Sequence, residues 1–170
     1  MANTPVQVGI IMGSAADADT LRPGKELLEE FGIAVEIRAF SAHRSPAQVL
    51  AWVSDMEKRG AKVLIASAGM AAHLAGVVAA NTTLPVLGVP VAGGVMDGLD
   101  SLLSTVQMPK GTPVATFAVG KAGAINAALF AVRILAVKDD ILAKKVKDHK
   151  ERLTQEVIAA DEKLQKEFNG

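Results

Sequence analysis

Short apolar runs alternate with longer amphipathic stretches along the chain from Val6 to Val137. Val6–Met12 is rich in β-branched apolar residues and ends at Gly13, which predicts a buried strand. From Asp17 to Phe31, Leu21, Leu27, Leu28 and Phe31 recur at helical spacing, and Gly32 stops the pattern. Pro23 lies inside that stretch, so the helix is expected to begin near it, where a missing N–H is tolerated. Val35–Phe40 predicts a second strand, and Pro46–Arg59 a helix opened by Pro46 and stopped by Gly60. Lys62–Ser67, Leu84–Val89 and Val114–Val119 predict three further strands. Ala71–Ala80, Gly98–Gln107 and Ala122–Val137 predict the helices that follow them.

Strands alternating with helices imply right-handed crossovers and a mostly parallel sheet covered on both faces. Five such units have the size of a flavodoxin-like, doubly wound α/β domain of three layers, α/β/α. Residues 1–137 are read as that domain, and residues 138–170 as a C-terminal helical arm. In the arm, Asp139–Phe168 is charged, with Leu142, Val146, His149, Leu153, Val157, Ala160, Leu164 and Phe168 in one apolar stripe. Two readings stay open: the stripe packs on its own domain, or it packs on a neighbouring subunit.

Composition narrows the function. Eighteen Lys and Arg balance eighteen Asp and Glu, so the basic excess that grips a nucleic-acid backbone is missing and no nucleic-acid partner is expected. With no cysteine there is no disulfide framework and no thiolate metal site. The run from Val63 to Met96 carries no formal charge apart from a protonatable His73, a length that could span a bilayer. It is broken by Gly69, Gly76, Pro85, Gly88 and Pro90 and by Asn81-Thr82-Thr83, so it reads as buried strands and a helix, with no membrane contact. Met1–Pro5 shows no basic patch followed by an apolar stretch, and a cytoplasmic location is expected.

Ligands of open α/β sheets bind beyond the carboxyl ends of the strands, and the unusual short sequences fall there. Gly13-Ser14-Ala15-Ala16-Asp17 follows the first strand. It reads either as an anion site of backbone N–H groups and the Ser14 hydroxyl, or as a helix cap by Asp17 behind a turn at Gly13. Ser41-Ala42-His43-Arg44-Ser45-Pro46 follows the second strand and joins an anion clamp to a group that titrates near neutral pH. Ser67 to His73, the Gly-rich Pro90 to Asp97 and Gly120 to Gly123 complete a set of five converging loops. His73 sits in an apolar segment and reads as structural or pocket-lining. No His, Asp and Glu cluster has metal-ligand spacing, so neither metal nor cofactor is expected, and no partner completes a hydrolase triad around Ser41 and His43.

Taken together, Gly-Ser-x-x-Asp at Gly13, Ser-Ala-His-Arg-Ser-Pro at Ser41 and Ala-Gly-x-Ala-Ala-His-Leu at Ala68 resemble the N5-carboxyaminoimidazole ribonucleotide mutase family. The stretches Leu84–Val91, Asp100–Ser104, Val106–Pro109 and Gly120–Ala124 are similar to the same family, and the likeness runs from Val6 to Ala136. It implies a homo-octamer of flavodoxin-like subunits acting in purine biosynthesis without ATP or metal. The substrate would be a small ribonucleotide whose carboxylate moves from N5 to ring C4 through trapped carbon dioxide. In that likeness His43 is the general acid and base. Ser14, Ser41 and Arg44 hold the phosphate, Asp17 the ribose, and Gly69, Met70, Ala71 and Ala72, beside His73, line the carboxylate pocket. Arg44 and Ala71–Leu74 separate this form from the related carboxylase that uses free carbon dioxide. Ala16, Ser67, Met70 and Ala75 depart from the family's serine, glycines and proline. The other readings are that carboxylase, and a noncatalytic nucleotide- or flavin-binding module, for which Trp52 is the lone tryptophan that could stack.

Overall fold

The computed structural model describes residues 5–169. The chain divides into two compact units, Met1–Ala131 and Val132–Gly170. Within the first, β1 (Val8–Met12), β2 (Val35–Ala39), β3 (Val63–Gly69), β4 (Val86–Val91) and β5 (Ala115–Thr116) form one sheet. The strand order is β2-β1-β3-β4-β5 and every pairing is parallel. The connecting helices are α1 (Ala18–Glu30), α2 (Pro46–Lys58), α3 (Leu74–Ala79) and α4 (Leu99–Val106), and α5 (Lys121–Ala136) follows β5. Right-handed crossovers over this order place α1 on one face of the sheet and α2, α3 and α4 on the other. This is the doubly wound arrangement that the alternation predicts, with its switch point between β1 and β3.

Burial explains the order. All residues of β1 and β4 are buried, as are the first five of β3, whereas β2 and β5 are the half-covered edges. The continuous apolar runs therefore mark strands covered on both faces. On one face Ile11, Leu64 and Ala66 pack with Val49, Trp52, Val53 and Met56 of α2 and with Leu74, Ala75 and Val78 of α3. Gly9 makes room for the indole: a Cβ there would lie 2.8 Å from Trp52 Cζ2. Trp52 is thus a core residue, with no free face for a flavin.

Among the elements whose bounds differ from the sequence expectation, four have a local physical reason. Helix α1 begins at Ala18, and Pro23 sits inside it. The only partner that the proline ring denies is the carbonyl of Asp19, an exposed residue whose oxygen water can satisfy. β3 runs on to Gly69, which pairs with Val91, so the third loop starts at Met70. α3 starts at Leu74, after Met70 has turned the chain with a left-handed φ of 56°. β5 keeps two residues. The Gly88 carbonyl accepts from Phe117 and the Pro90 carbonyl from Gly120, so both face β5, yet Pro90 has no N–H to return and the ladder ends.

The second unit holds the end of α5 and α6 (Asp140–Asn169), 30 residues long and so about 45 Å. The Asp139 carboxylate accepts from Leu142 N at 2.9 Å and starts the helix. From Glu151 onward its described residues are exposed, including Leu153, Val157, Leu164 and Phe168 of the apolar stripe. Among the described residues no helix is long and apolar enough to cross a membrane.

Candidate active site

At the carboxyl edge of the sheet a cleft of about 420 Å³ opens over the β1–β3 switch point. Loops after four strands line it: Ser14 and Asp17 after β1, Ser41 to Arg44 after β2, Met70 and Ala71 with Gly69 at the end of β3, and Ala92 to Gly94 with Val91 at the end of β4. A second hollow, about 340 Å³, adjoins it between the first two loops and shares Gly13, Ser14, Ser41 and Arg44. Sequence reasoning brings eight of these positions together: Ser14, Asp17, Ser41, His43, Arg44, Gly69, Met70 and Ala71. Ala72 is buried and His73 stands beside His43, both outside the cleft lining. The loop after β5 does not reach the lining. Ala42 and Val91 to Gly94 fall in loops that the sequence already brings to this edge, but none of them is an individual site residue of the sequence reading. Their part is backbone and small apolar surface, and the only signal in the sequence is a glycine-rich loop after the fourth strand.

The second loop is fixed by its own hydroxyls. Ser45 Oγ accepts from Ser41 N at 2.9 Å and donates to the Ser41 carbonyl at 3.1 Å. Ser41 Oγ in turn accepts from His43 N at 3.3 Å and from Arg44 N at 3.2 Å. The loop therefore holds its shape as an ST-type turn, and Pro46 starts α2 with no side-chain cap. In the first loop Ser14 Oγ accepts from Ala16 N at 3.2 Å and caps a single 3-10 turn, Ala15–Asp17. The cap falls to Ser14; the Asp17 side chain makes no cap bond to α1. Both serine oxygens accept from backbone N–H groups, so each hydroxyl proton is directed to donate. Ser14, Ser41 and Arg44 line the same hollow. That donor set suits an anion with several oxygens.

Asp17 is the one carboxylate in the lining. Partial burial pushes its carboxyl above the ordinary value, with hydrogen bonding from the Ser14 backbone pulling the other way. It offers two acceptor oxygens to a ligand hydroxyl within reach of the anion donors.

His43 and His73 meet across the second and third loops. His43 Nε2 lies 2.9 Å from His73 Nδ1, with the rings edge to face at 84°. One ring donates and the other accepts, so the pair shares a proton and at most one ring can carry a second while the bond holds. His73, read from the sequence as structural or pocket-lining, is exposed at the start of α3, and its ring makes no cap bond to that helix. The cleft thus brings together His43, able to carry a proton, the Ser14, Ser41 and Arg44 donors, and the Asp17 carboxylate, able to accept from a hydroxyl. Among the described residues no three His, Cys, Asp or Glu form a metal-binding group.

Of the positions that depart from the resemblance, Ser67 is fully buried and donates to the Val89 carbonyl at 2.9 Å, joining β3 to β4. Ala75 is buried under the sheet. Ala16 is exposed.

Comparison with known proteins accords with this geometry. A family model described as AIR carboxylase matches residues 7–156. The N5-carboxyaminoimidazole ribonucleotide mutase of Bacillus subtilis (strain 168) is 48% identical over 157 residues, which are 92% of this chain and 97% of the relative. The Thermotoga maritima protein of the same name is 49% identical over 159 residues, 94% of this chain and 92% of its own. Among solved structures, Treponema denticola PurE superimposes with a TM-score of 0.84 at 30% identity, covering 94% of this chain and 98% of that one. A match over most of the chain, with near-half identity over more than nine-tenths of each of these relatives, settles its kinship: the chain belongs to the AIR carboxylase family.

Proposed function

We propose that this chain is an N5-carboxyaminoimidazole ribonucleotide mutase, an isomerase of purine biosynthesis that moves a carboxylate from N5 to C4 of an aminoimidazole ribonucleotide. The observation that carries the reading is the placing of His43 in one cleft with the Ser14, Ser41 and Arg44 donors, in a chain near-half identical to mutases. Ser14, Ser41 and Arg44 take the phosphate, and Asp17 accepts from the ribose hydroxyls. That fixes the ring over His43, with its carboxylate against Gly69 to Ala72 and the fourth loop.

The chemistry then needs one mobile proton. His43 gives it to N5 as the N5–carboxyl bond breaks, releasing neutral carbon dioxide within the cleft. Ring C4 attacks that carbon, and His43 takes the C4 proton as the ring regains aromaticity. The carboxyl group leaves one atom of the substrate and returns to another, so atoms and electrons balance with no co-substrate. An imidazole suits both proton steps at neutral pH, and walls that exclude water keep the carbon dioxide in place. With Nε2 held by His73, Nδ1 of His43 is the nitrogen that meets the substrate, and His73 is a positioning residue that fixes the ring. We also assign a cytoplasmic homo-octamer, residues 1–137 as the catalytic domain, and the helix beyond residue 137 as an arm between subunits. Incubating the purified protein with the N5-carboxy substrate and following product absorbance tests the reading. Turnover by wild type and its collapse in His43→Asn support it; no turnover, or an undiminished rate in the variant, overturns it.

A further inference from the structure

Met70 adopts a backbone conformation, φ 56°, that residues with side chains rarely take. Strain of this kind persists only where its surroundings hold it, and it clusters at working sites. The side chain does not join the core: it is 63% exposed and lines the cleft that holds His43. On the fourth loop it meets Gly94. A Cβ built there would lie 3.1 Å from Met70 Cγ and 2.6 Å from Asp100 Oδ2, and Gly94 itself has a φ of 81°. The methionine side chain therefore lies on a residue that must be glycine on two counts, conformation and space. Its neighbours in the lining, Gly69 and Ala71, bring almost no side chain of their own.

We propose that Met70 is a specificity-determining residue for this reaction. Its side chain, laid on Gly94, bridges the third and fourth loops as an apolar screen that keeps released carbon dioxide beside ring C4. The inference rests on the mutase reading above. Carbon dioxide is small and neutral, so neither an ion pair nor a strong hydrogen bond holds it, and retention depends on the walls. An unbranched thioether with three rotatable bonds can move aside for the nucleotide and fall back over it. Once the N5–carboxyl bond has broken and the His43 proton is on N5, two outcomes compete. Attack by C4 gives the 4-carboxy product, and escape of carbon dioxide leaves plain aminoimidazole ribonucleotide. Their ratio reports how well the screen closes.

The test uses the full-length protein as wild type, Met70→Gly and Met70→Leu, with the N5-carboxy substrate in buffer freed of carbon dioxide. Both products are quantified at partial conversion, after subtraction of the decay seen without enzyme. Glycine accepts the left-handed turn and lets the loop keep its path, whereas leucine restores the apolar bulk. The ratio of decarboxylated to 4-carboxy product is expected to rise about three- to tenfold in Met70→Gly, the size expected for removing one partly covered apolar side chain. It should stay within about twofold of wild type in Met70→Leu. A wild-type ratio in Met70→Gly, with 4-carboxy product still forming, overturns the screen and leaves the mutase reading intact. Wild type forming no 4-carboxy product overturns both.

Discussion

Replacing His73 by alanine separates a positioning role from a proton-transfer role. The side chain makes one directed contact, the 2.9 Å bond to His43 Nε2. It is exposed and does not cap α3, so its removal leaves no cavity and no orphaned helix N–H. Stability should therefore change by less than about 0.5 kcal/mol, or about 1–2 °C in Tm for a chain of this size. A single hydrogen bond contributes about 0.5–1.5 kcal/mol net. If all of it serves to orient His43 in the transition state, kcat/KM falls about two- to thirteenfold. Removing the proton-transfer group itself, in His43→Asn, costs about 10²–10⁴-fold. Initial rates of mutase turnover and thermal melts of both variants decide the matter. His73→Asn, whose amide can restore a hydrogen bond, should recover part of the loss. A His73→Ala rate as low as that of His43→Asn, or one equal to wild type, would rule out a positioning role for His73.

Two further perturbations test other parts of the structure. Burial raises the Asp17 carboxyl, so the folded state binds this proton more tightly than the unfolded chain, and the stability that the protonated form confers is lost as pH rises through the raised value. Asp17→Asn should then melt higher than wild type at neutral pH, with the advantage fading toward about pH 3, while KM for the nucleotide rises; an advantage that grows in acid contradicts this. Gly9→Ala would set a Cβ 2.8 Å from Trp52 Cζ2 and 3.0 Å from Leu64 Cδ2. Overpacking of that kind costs about 1–3 kcal/mol, a fall of about 3–10 °C in Tm, and an unchanged melt would show that the indole has room to yield.

How far the sequence discloses the site follows from where information is local. The strand-then-loop rhythm and the parallel sheet it implies bring Ser14, Ser41, His43 and Arg44 to one edge, because strands of one direction end on one side. The His43–His73 contact is not local. It joins residues 30 apart, and a lone histidine in an apolar stretch reads as core until β1 is seen to lie between β2 and β3 and Met70 is seen to turn the chain outward. Val91 to Gly94 are legible only as part of a glycine-rich loop for another reason: they contribute backbone and small surface, which mark no individual residue. Pro23 and Pro90 show the limits of propensity from opposite sides. The first is tolerated in mid-helix because its cost falls on an exposed residue, and the second ends β5 by withholding a donor from a neighbouring strand.

In the proposed reaction the cleft around His43 carries one carboxyl group from N5 to C4 of the same molecule. Its most direct test is an isotope-tracing experiment with the N5-carboxyl carbon of the substrate labelled and unlabelled bicarbonate in the buffer. Wild type should return the label in the 4-carboxy product, and His43→Asn should form almost none. Product carrying only unlabelled carboxylate would contradict it, and would point to the related carboxylase chemistry that draws on free carbon dioxide.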